Sequence, residues 1–326
     1  MTVNISDTKN QGTAPFREIS GGAVIKNLTV EGTVNGTIHA AGLVGFSRGG
    51  SSEKPNTIEN CIVNTAVTVK SGNGKHMGGV VGHGSTSYLK IKNTVFGGTM
   101  YNTDSYAGGL MGWCDGGCHL TIDNCLFNGR YTGTVSNGFH PIAVSYNANV
   151  TTDVQDCYYY HTAAPTLTEE KHIPVTTGEK VYSNEPFGYE TKEIDIPGVS
   201  CYKVTGAPQS TITIGSSDVW QQFAQSISDG FTYEGALIEL NTDFGVTDMA
   251  DGTFKGTLNG KGHQITFNYI QGAENDAALF RNIENATIEF LEVVGTINIS
   301  KKFLPERLKP LRQKSTILIV NFCHLP

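Results

Sequence analysis

His83 comes closest to a catalytic pattern, because it lies between two glycines at Gly82-His83-Gly84. A histidine in that setting could assist cleavage of a glycosidic bond. That reaction needs two carboxylates, one to protonate the leaving group and one to activate water. The segment before His83 contains no Asp-Asp or Asn-x-Asp pair, and the other acids are scattered. The sequence therefore predicts no catalytic residue and no cofactor. A β-helix polysaccharide lyase or glycoside hydrolase stays an alternative.

Cys114 and Cys118 form a Cys-x3-Cys pair around the residues Asp115-Gly116-Gly117. A zinc site would need further His or Cys residues at a characteristic spacing, and none accompanies this pair, so no metal site is predicted. Two interpretations stay open: two free thiols, or a small disulfide that closes a surface turn. The 7 cysteines of the chain are an odd number and predict no disulfide framework.

Aromatic residues are the remaining candidates for ligand contact. Five of them lie in or beside predicted turns, where a repetitive fold could align them as an exposed surface that stacks against a ligand: Tyr88, Tyr101, Tyr106, Trp113 and Tyr131. The alternative is that each ring packs on its own turn.

The elements that must position these residues repeat along the chain. A motif of the form Ile-x-Asn, worn to Val-x-Asp in its last copy, recurs with steps of 33, 33, 31 and 32 residues at Asn27, Asn60, Asn93, Asn124 and Asp156. Between these copies lies a second motif, Gly-x-x-Gly, which begins at Gly42, Gly79 and Gly109. The flanking residues alternate with the period of a β-strand.

A unit of about 30 residues cannot bury its apolar face alone, so it must stack on its neighbours. The sequence therefore predicts an all-β fold, a right-handed parallel β-helix whose rungs have about 30 residues. The Asn positions are predicted to stack at a corner of left-handed backbone, which Asn tolerates, with their amides hydrogen-bonded from rung to rung.

A longer repeat relates the start of the chain to residues 266–300. Matching residues lie 264 positions apart at first, as Thr2 and Thr266 do, and 263 positions apart further on, as Gly32 and Gly295 do. A helix capped by Ser217, with Val219, Phe223 and Ile227 on one face, is predicted to open this second solenoid segment. The predicted regions are a first β-solenoid segment (1–157), a β-rich connector without the repeat (158–215), the helical cap and second segment (216–300), and an atypical basic tail that we interpret as frameshifted or foreign (301–326).

Composition excludes several functional classes. Only 16% of the 326 residues are charged and 39 are glycine, which excludes a coiled coil. A net charge of -7 gives no reason to expect nucleic-acid binding. No apolar run is long enough for a membrane span.

Together, the Gly-Leu-x-Gly motifs, the Ile-x-Asn-Cys strands and the helix followed by Asn259-Gly260-Lys261-Gly262-His263 resemble secreted bacterial surface proteins that carry the GLUG motif. The resemblance covers most of 1–157 and 212–300. It implies a pectin-lyase-like β-helix and an extracellular or cell-surface location. The function it implies is a non-catalytic, adhesin-like region that binds glycans or host or bacterial surface proteins. The remaining alternative is a passive spacer.

Overall fold

The computed structural model describes residues 1–7, 11–69, 76–102, 106–133, 139–145, 150–160, 173–176, 178–196, 198–271, 277–299 and 320–321. The chain divides into two compact units, Met1–Asn184 with Glu193–Lys203, and Glu185–Lys192 with Val204–Pro326. The predicted connector, 158–215, is shared between these units. The predicted basic tail, 301–326, lies outside the described residues except for a two-residue strand at 320–321.

Short strands make up nearly all of the first unit. Those that lie wholly within it are β1 (Thr2–Ser6), β2 (Phe16–Ser20), β3 (Val24–Lys26), β4 (Thr29–Gly36), β5 (Ala40–Ala41), β6 (Val44–Gly49), β7 (Asn56–Glu59), β8 (Ile62–Val69), β9 (His76–Gly78), β10 (Val81–Lys92), β11 (Val95–Phe96), β12 (Thr99–Asn102), β13 (Tyr106–Gly108), β14 (Met111–Asp115), β15 (His119–Phe127), β16 (Arg130–Tyr131), β17 (Phe139–His140), β18 (Ala143–Ser145), β19 (Thr151–Tyr160), β20 (Ile173–Thr176) and β21 (Glu179–Val181). Two further strands, β22 (Tyr189–Ile196) and β23 (Val199–Pro208), form a sheet of their own.

Most strands of the first unit coil around one apolar core and pair in parallel from rung to rung, whereas β20 pairs antiparallel with β18. A broad face contains β4, β8, β12 and β16, a second face contains β2, β6, the start of β10, β14 and β18, and a narrow face contains β5, β9, β13 and β17. The register places like residues over like: Ile25 pairs with Ile58, Ile58 with Ile91, and Ile91 with Ile122. Strand makes up 62% of the chain and helix 5%, so the predicted all-β parallel β-helix is confirmed.

The predicted asparagine corner is also confirmed. The backbone φ of Asn27, Asn60, Asn93, Asn124 and Asp156 lies between 46° and 55°, in the left-handed region. The amide Nδ2 of each later asparagine donates to the Oδ1 of the one before, at 3.2, 3.0 and 2.9 Å along the series. Each rung is therefore held in register at its exposed corner by side chains as well as by backbone.

The second unit begins a new coil next to a helix. Its elements are β24 (Thr211–Ile214), α1 (Ser217–Ser228), β25 (Leu237–Leu240), β26 (Phe244–Val246), β27 (Ala250–Phe254), β28 (Thr257–Asn259), β29 (Gln264–Gln271), β30 (Phe280–Ile283), β31 (Thr287–Glu289), β32 (Glu292–Ile299) and β33 (Val320–Asn321). The N-cap is Ser216, whose Oγ accepts from the backbone N–H of Val219, so the prediction of Ser217 as the cap is wrong by one residue. The helix buries Trp220, Phe223 and Ile227.

The longer repeat has a structural counterpart in the two units. In the first, Gly32 of β4 pairs with Val3 of β1, and in the second, Gly295 of β32 pairs with Phe267 of β29. A Cβ atom on Gly32 would lie 1.8 Å from the carbonyl oxygen of Val3, and one on Gly295 would lie 1.9 Å from that of Phe267. Glycine is required at both positions, because two backbones approach too closely for any side chain.

Candidate functional site

The Gly-x-x-Gly motifs position two facing columns of side chains beside the narrow face. A Cβ atom on Gly42 would lie 2.4 Å from the carbonyl oxygen of Gly79, and one on Gly79 would lie 2.0 Å from that of Gly109. Because only glycine permits this approach, each motif joins its narrow-face strand to the next strand at the same point of each rung. The flanking residues therefore repeat in register.

The first column consists of the residues three positions before the first glycine of each motif, namely His39, His76 and Tyr106. The second consists of the residues four positions after that glycine, namely Phe46, His83 and Trp113. In the first column, His39 directly precedes β5, and His76 of β9 pairs with Tyr106 of β13. In the second, His83 of β10 pairs with Phe46 of β6, and Trp113 follows on β14. Six rings from three rungs thus meet at one corner of the coil.

Three of these rings are histidines in mutual contact. The ring centroid of His39 lies 4.4 Å from that of His83 and 4.9 Å from that of His76, and those of His76 and His83 are 5.3 Å apart. The Nδ1 atoms of His39 and His76 are 3.1 Å apart. One nitrogen from each ring can be chosen so that all three lie within 4.8 Å of one another.

Aromatic rings surround the histidines. The indole of Trp113 stacks on the imidazole of His76, with centroids 4.4 Å apart and planes inclined by 3°. Phe46 meets His39 edge to face at 4.5 Å, and Tyr106 contacts Trp113 at 4.4 Å. His39 and His83 are buried, whereas His76 and Tyr106 are partly exposed. The cluster is therefore open to solvent on one side.

Asp115 completes the site from the end of β14. Its Oδ2 lies 3.2 Å from Nε2 of His83 and accepts a hydrogen bond of 3.3 Å from the indole Nε1–H of Trp113. Both ring nitrogens of His83, Nδ1 and Nε2, are buried, and neither has a hydrogen-bond partner among the described residues. Nε2 therefore has the Asp115 carboxylate as a close charged neighbour, and Nδ1 is the second buried nitrogen without a hydrogen bond.

Burial dominates the electrostatics of the cluster. It lowers the pKa of His39 to about 3 and that of His76 to about 2, and the neighbouring imidazoles add to both effects. Burial also lowers the pKa of His83, against the opposing influence of the Asp115 carboxylate. For Asp115 itself, burial acts to raise the pKa, but hydrogen bonds from Ser85 and Trp113, together with the nearby imidazole of His83, hold the pKa below its usual value. All three imidazoles are therefore neutral near pH 7, and each has one unprotonated nitrogen.

Of the five aromatic residues singled out in the sequence, the structure brings two into this cluster, Tyr106 and Trp113. Tyr88 stacks on His119 at 4.2 Å, at the point where β10 pairs with β15, and Tyr101 of β12 is 45% exposed. Tyr131 is buried and stacks on Phe139. The expectation of exposure is wrong for Trp113, whose ring packs in this cluster, and for Tyr131, whose ring packs against Phe139.

Cys114 and Cys118 are free thiols, and both are buried. A hydrogen bond with Cys118 and burial together raise the pKa of the Cys114 thiol. Of the two interpretations left open by the sequence, this arrangement favours the free thiols. The turn between the two cysteines also holds Asp115 against His83, a contact that the sequence did not indicate.

Sequence reasoning missed the partners of His83, although a signal existed. His39 and His76 precede their Gly-x-x-Gly motifs by the same three residues, and His83 follows the first glycine of its own motif by four. Alignment of the motifs would have placed these positions in two columns. It would not have shown that the columns face each other, since that depends on how sharply the chain bends at the glycines.

Comparison with known proteins adds no assignment: a scan against family profiles, a search of curated proteins and a search of solved structures each found no match. None of the helices described is long and apolar enough to cross a membrane.

Proposed function

We propose that this chain is a non-catalytic β-helical repeat region of a secreted bacterial cell-surface protein, with an adhesin-like role in binding glycans. The motif resemblance to GLUG-containing proteins supports the surface location. The rigid, laddered coil supports a role in presenting side chains at fixed spacing. The observation that carries the binding role is the stacked ring corner, where the partly exposed rings of Tyr106 and His76 pack against the buried indole of Trp113.

Rings fixed by stacking suit sugar binding for a physical reason. Because their orientation is already set by neighbours, a ligand that stacks on them does not have to order them first. Tyr106 combines an apolar ring with a hydroxyl group, which fits the mixed apolar and polar faces of a sugar. The partly exposed edge formed by Tyr106 and His76 is where contact with a glycan is expected.

The enzymatic alternative has less support. Hydrolysis of a glycosidic bond uses two carboxylates about 5–10 Å apart. The contacts described around His83 include one carboxylate, that of Asp115. An arrangement of one acid with a neutral imidazole lacks the second acidic group.

A glycan array probed with the purified chain tests the proposal. Binding should be lost in Tyr106→Ala and kept in Tyr88→Ala, a matched control in which the tyrosine also lies against a histidine but on another part of the coil. Equal loss in both variants would exclude the ring corner as the binding site. Failure to bind any glycan would refute glycan binding, and capture of a surface protein instead would point to protein recognition. Failure of both would favour a spacer.

A further inference from the structure

We infer that His39, His76 and His83 form a binding site for one transition-metal ion of the zinc, nickel or copper class. Asp115 acts as the positioning residue of His83 in this site. This inference does not depend on the proposed glycan-binding function, because it concerns the buried side of the ring corner and has a separate readout.

Three imidazole donors converge at this corner. His39 comes from one rung, and His76 and His83 come from the next, on either side of Gly79. One nitrogen can be chosen from each ring so that no two of the three nitrogens are more than 4.8 Å apart. Buried imidazoles at this separation cannot all hydrogen-bond one another, and the Nδ1 atom of His83 has no such partner among the described residues. An unpaired buried nitrogen destabilises the folded state unless something binds it.

The separation of two of the donor nitrogens is close to the one that a zinc ion requires. Zinc binds histidine nitrogen at about 2.0–2.1 Å, so two nitrogens at tetrahedral positions lie about 3.4 Å apart. The Nδ1 atoms of His39 and His76 are 3.1 Å apart, close to that value. One nitrogen from each ring can be chosen so that no two of the three are more than 4.8 Å apart, so gathering three nitrogens around one ion takes shifts on the order of 1–2 Å.

The surroundings of His83 are those of a metal-bound histidine. Metal-bound histidines usually direct their other ring nitrogen to a carboxylate, which fixes the ring and increases its basicity. Asp115 has this relation to His83, with Oδ2 3.2 Å from Nε2, and is itself fixed by the indole of Trp113. Because Asp115 lies against Nε2, the metal would bind through Nδ1 of His83, which is buried and makes no hydrogen bond among the described residues.

The donor set indicates the class of ion. Three neutral imidazoles suit zinc, nickel and copper, whereas magnesium and calcium require oxygen donors. Three protein ligands also leave at least one coordination position, which the partly exposed side at His76 makes reachable from solvent. An ion there would join two successive rungs at a corner where the backbone alone forms only short strands.

Zinc titration of the full chain, purified without a histidine tag and stripped with a chelator, tests the site. Isothermal titration calorimetry should give one tight zinc ion per chain, and cobalt substitution should give the visible absorption bands of a four- or five-coordinate nitrogen site. His76→Gln should abolish this site. His119→Gln, the matched control at the Tyr88 stack, should leave it unchanged.

Asp115→Asn separates a positioning role from a structural one. The variant should bind zinc about 10–100-fold more weakly, with an unchanged unfolding midpoint in the presence of chelator. If His76→Gln fails to fold, Asp115→Asn with the histidines intact still decides the question. Stripped wild-type protein that takes up no zinc, or that binds it as well in His76→Gln as in His119→Gln, would show that the three rings are only packed together.

Discussion

The glycine pair at 97–98 allows the stacking of rungs to be tested by adding a single methyl group. Gly98 precedes β12, and its Cβ atom would lie 2.0 Å from the carbonyl oxygen of Thr65 and 2.8 Å from both Thr65 C and Thr65 N, all backbone atoms of the neighbouring rung. A Cβ atom on Gly97 would meet only the side chain of Asn64, at 2.5 Å from Oδ1. Gly97 is exposed, so that side chain can rotate away.

The two substitutions should therefore differ greatly in cost. The methyl group of Gly98→Ala would lie 2.0 Å from the carbonyl oxygen of Thr65, whereas ordinary van der Waals contact begins at 3.4 Å. The two rungs would therefore have to move apart by more than 1 Å. Overpacking of this kind costs about 1–3 kcal/mol and more when backbone must move, so we expect Gly98→Ala to lose about 3 kcal/mol of unfolding free energy. Gly97→Ala should change it by less than about 1 kcal/mol. Both variants reduce the freedom of the unfolded chain equally, so this effect cancels in the comparison.

Urea unfolding followed by tryptophan fluorescence measures the difference. The two tryptophans of the chain lie in different units, and in a Trp220→Phe background the signal comes from Trp113, in the same unit as both glycines. Equal midpoints for the Gly97→Ala and Gly98→Ala variants would refute the close stacking of backbone at this corner.

Three further predictions follow from named contacts. Asn93→Ala should lose about 2–3 kcal/mol of unfolding free energy, because it removes two ladder hydrogen bonds and strains the left-handed backbone. Asn93→Gly should lose less, because glycine tolerates that conformation. Equal urea midpoints for the two variants would contradict this prediction. Ser216→Ala should destabilise the second unit by about 1 kcal/mol in thermal unfolding, and a Ser217→Ala control that costs as much would argue against Ser216 as the cap. Cys114 and Cys118 should resist thiol reagents until the protein unfolds, because both are buried; peptide mass spectrometry that finds either one labelled in native protein would contradict the packing described.

The repeat made the coil predictable. Asn27, Asn60 and Asn93 were expected to stack because copies of one motif at nearly constant spacing must occupy equivalent places in a solenoid. The left-handed conformation followed from the residue type, since asparagine tolerates it better than other residues with side chains. In the structure, both the conformation and the amide ladder are present.

The ring corner could not be predicted in the same way. His39 and His83 lie on opposite sides of different glycine motifs, and their contact arises from the angle at which each rung bends. At these bends, a Cβ atom on Gly42 or Gly79 would lie 2.0–2.4 Å from a backbone oxygen of the next rung. Glycine permits such a close approach of the two backbones, but it does not specify the angle of the bend. Asp115 was visible only as part of a cysteine turn. Its role depends on the pairing of β10 with β14, which brings the turn beside His83.

A crystal structure of the full chain grown with zinc would test the central claim most directly, with the metal located by anomalous diffraction at the zinc edge. Our account predicts one strong peak bounded by the imidazoles of His39, His76 and His83, in a coil where the side chains of Asn60 and Asn93 are hydrogen-bonded. A fold in which these two asparagines lie far apart would contradict the stacking of rungs. The stacked coil without a peak among the three histidines would contradict the metal site.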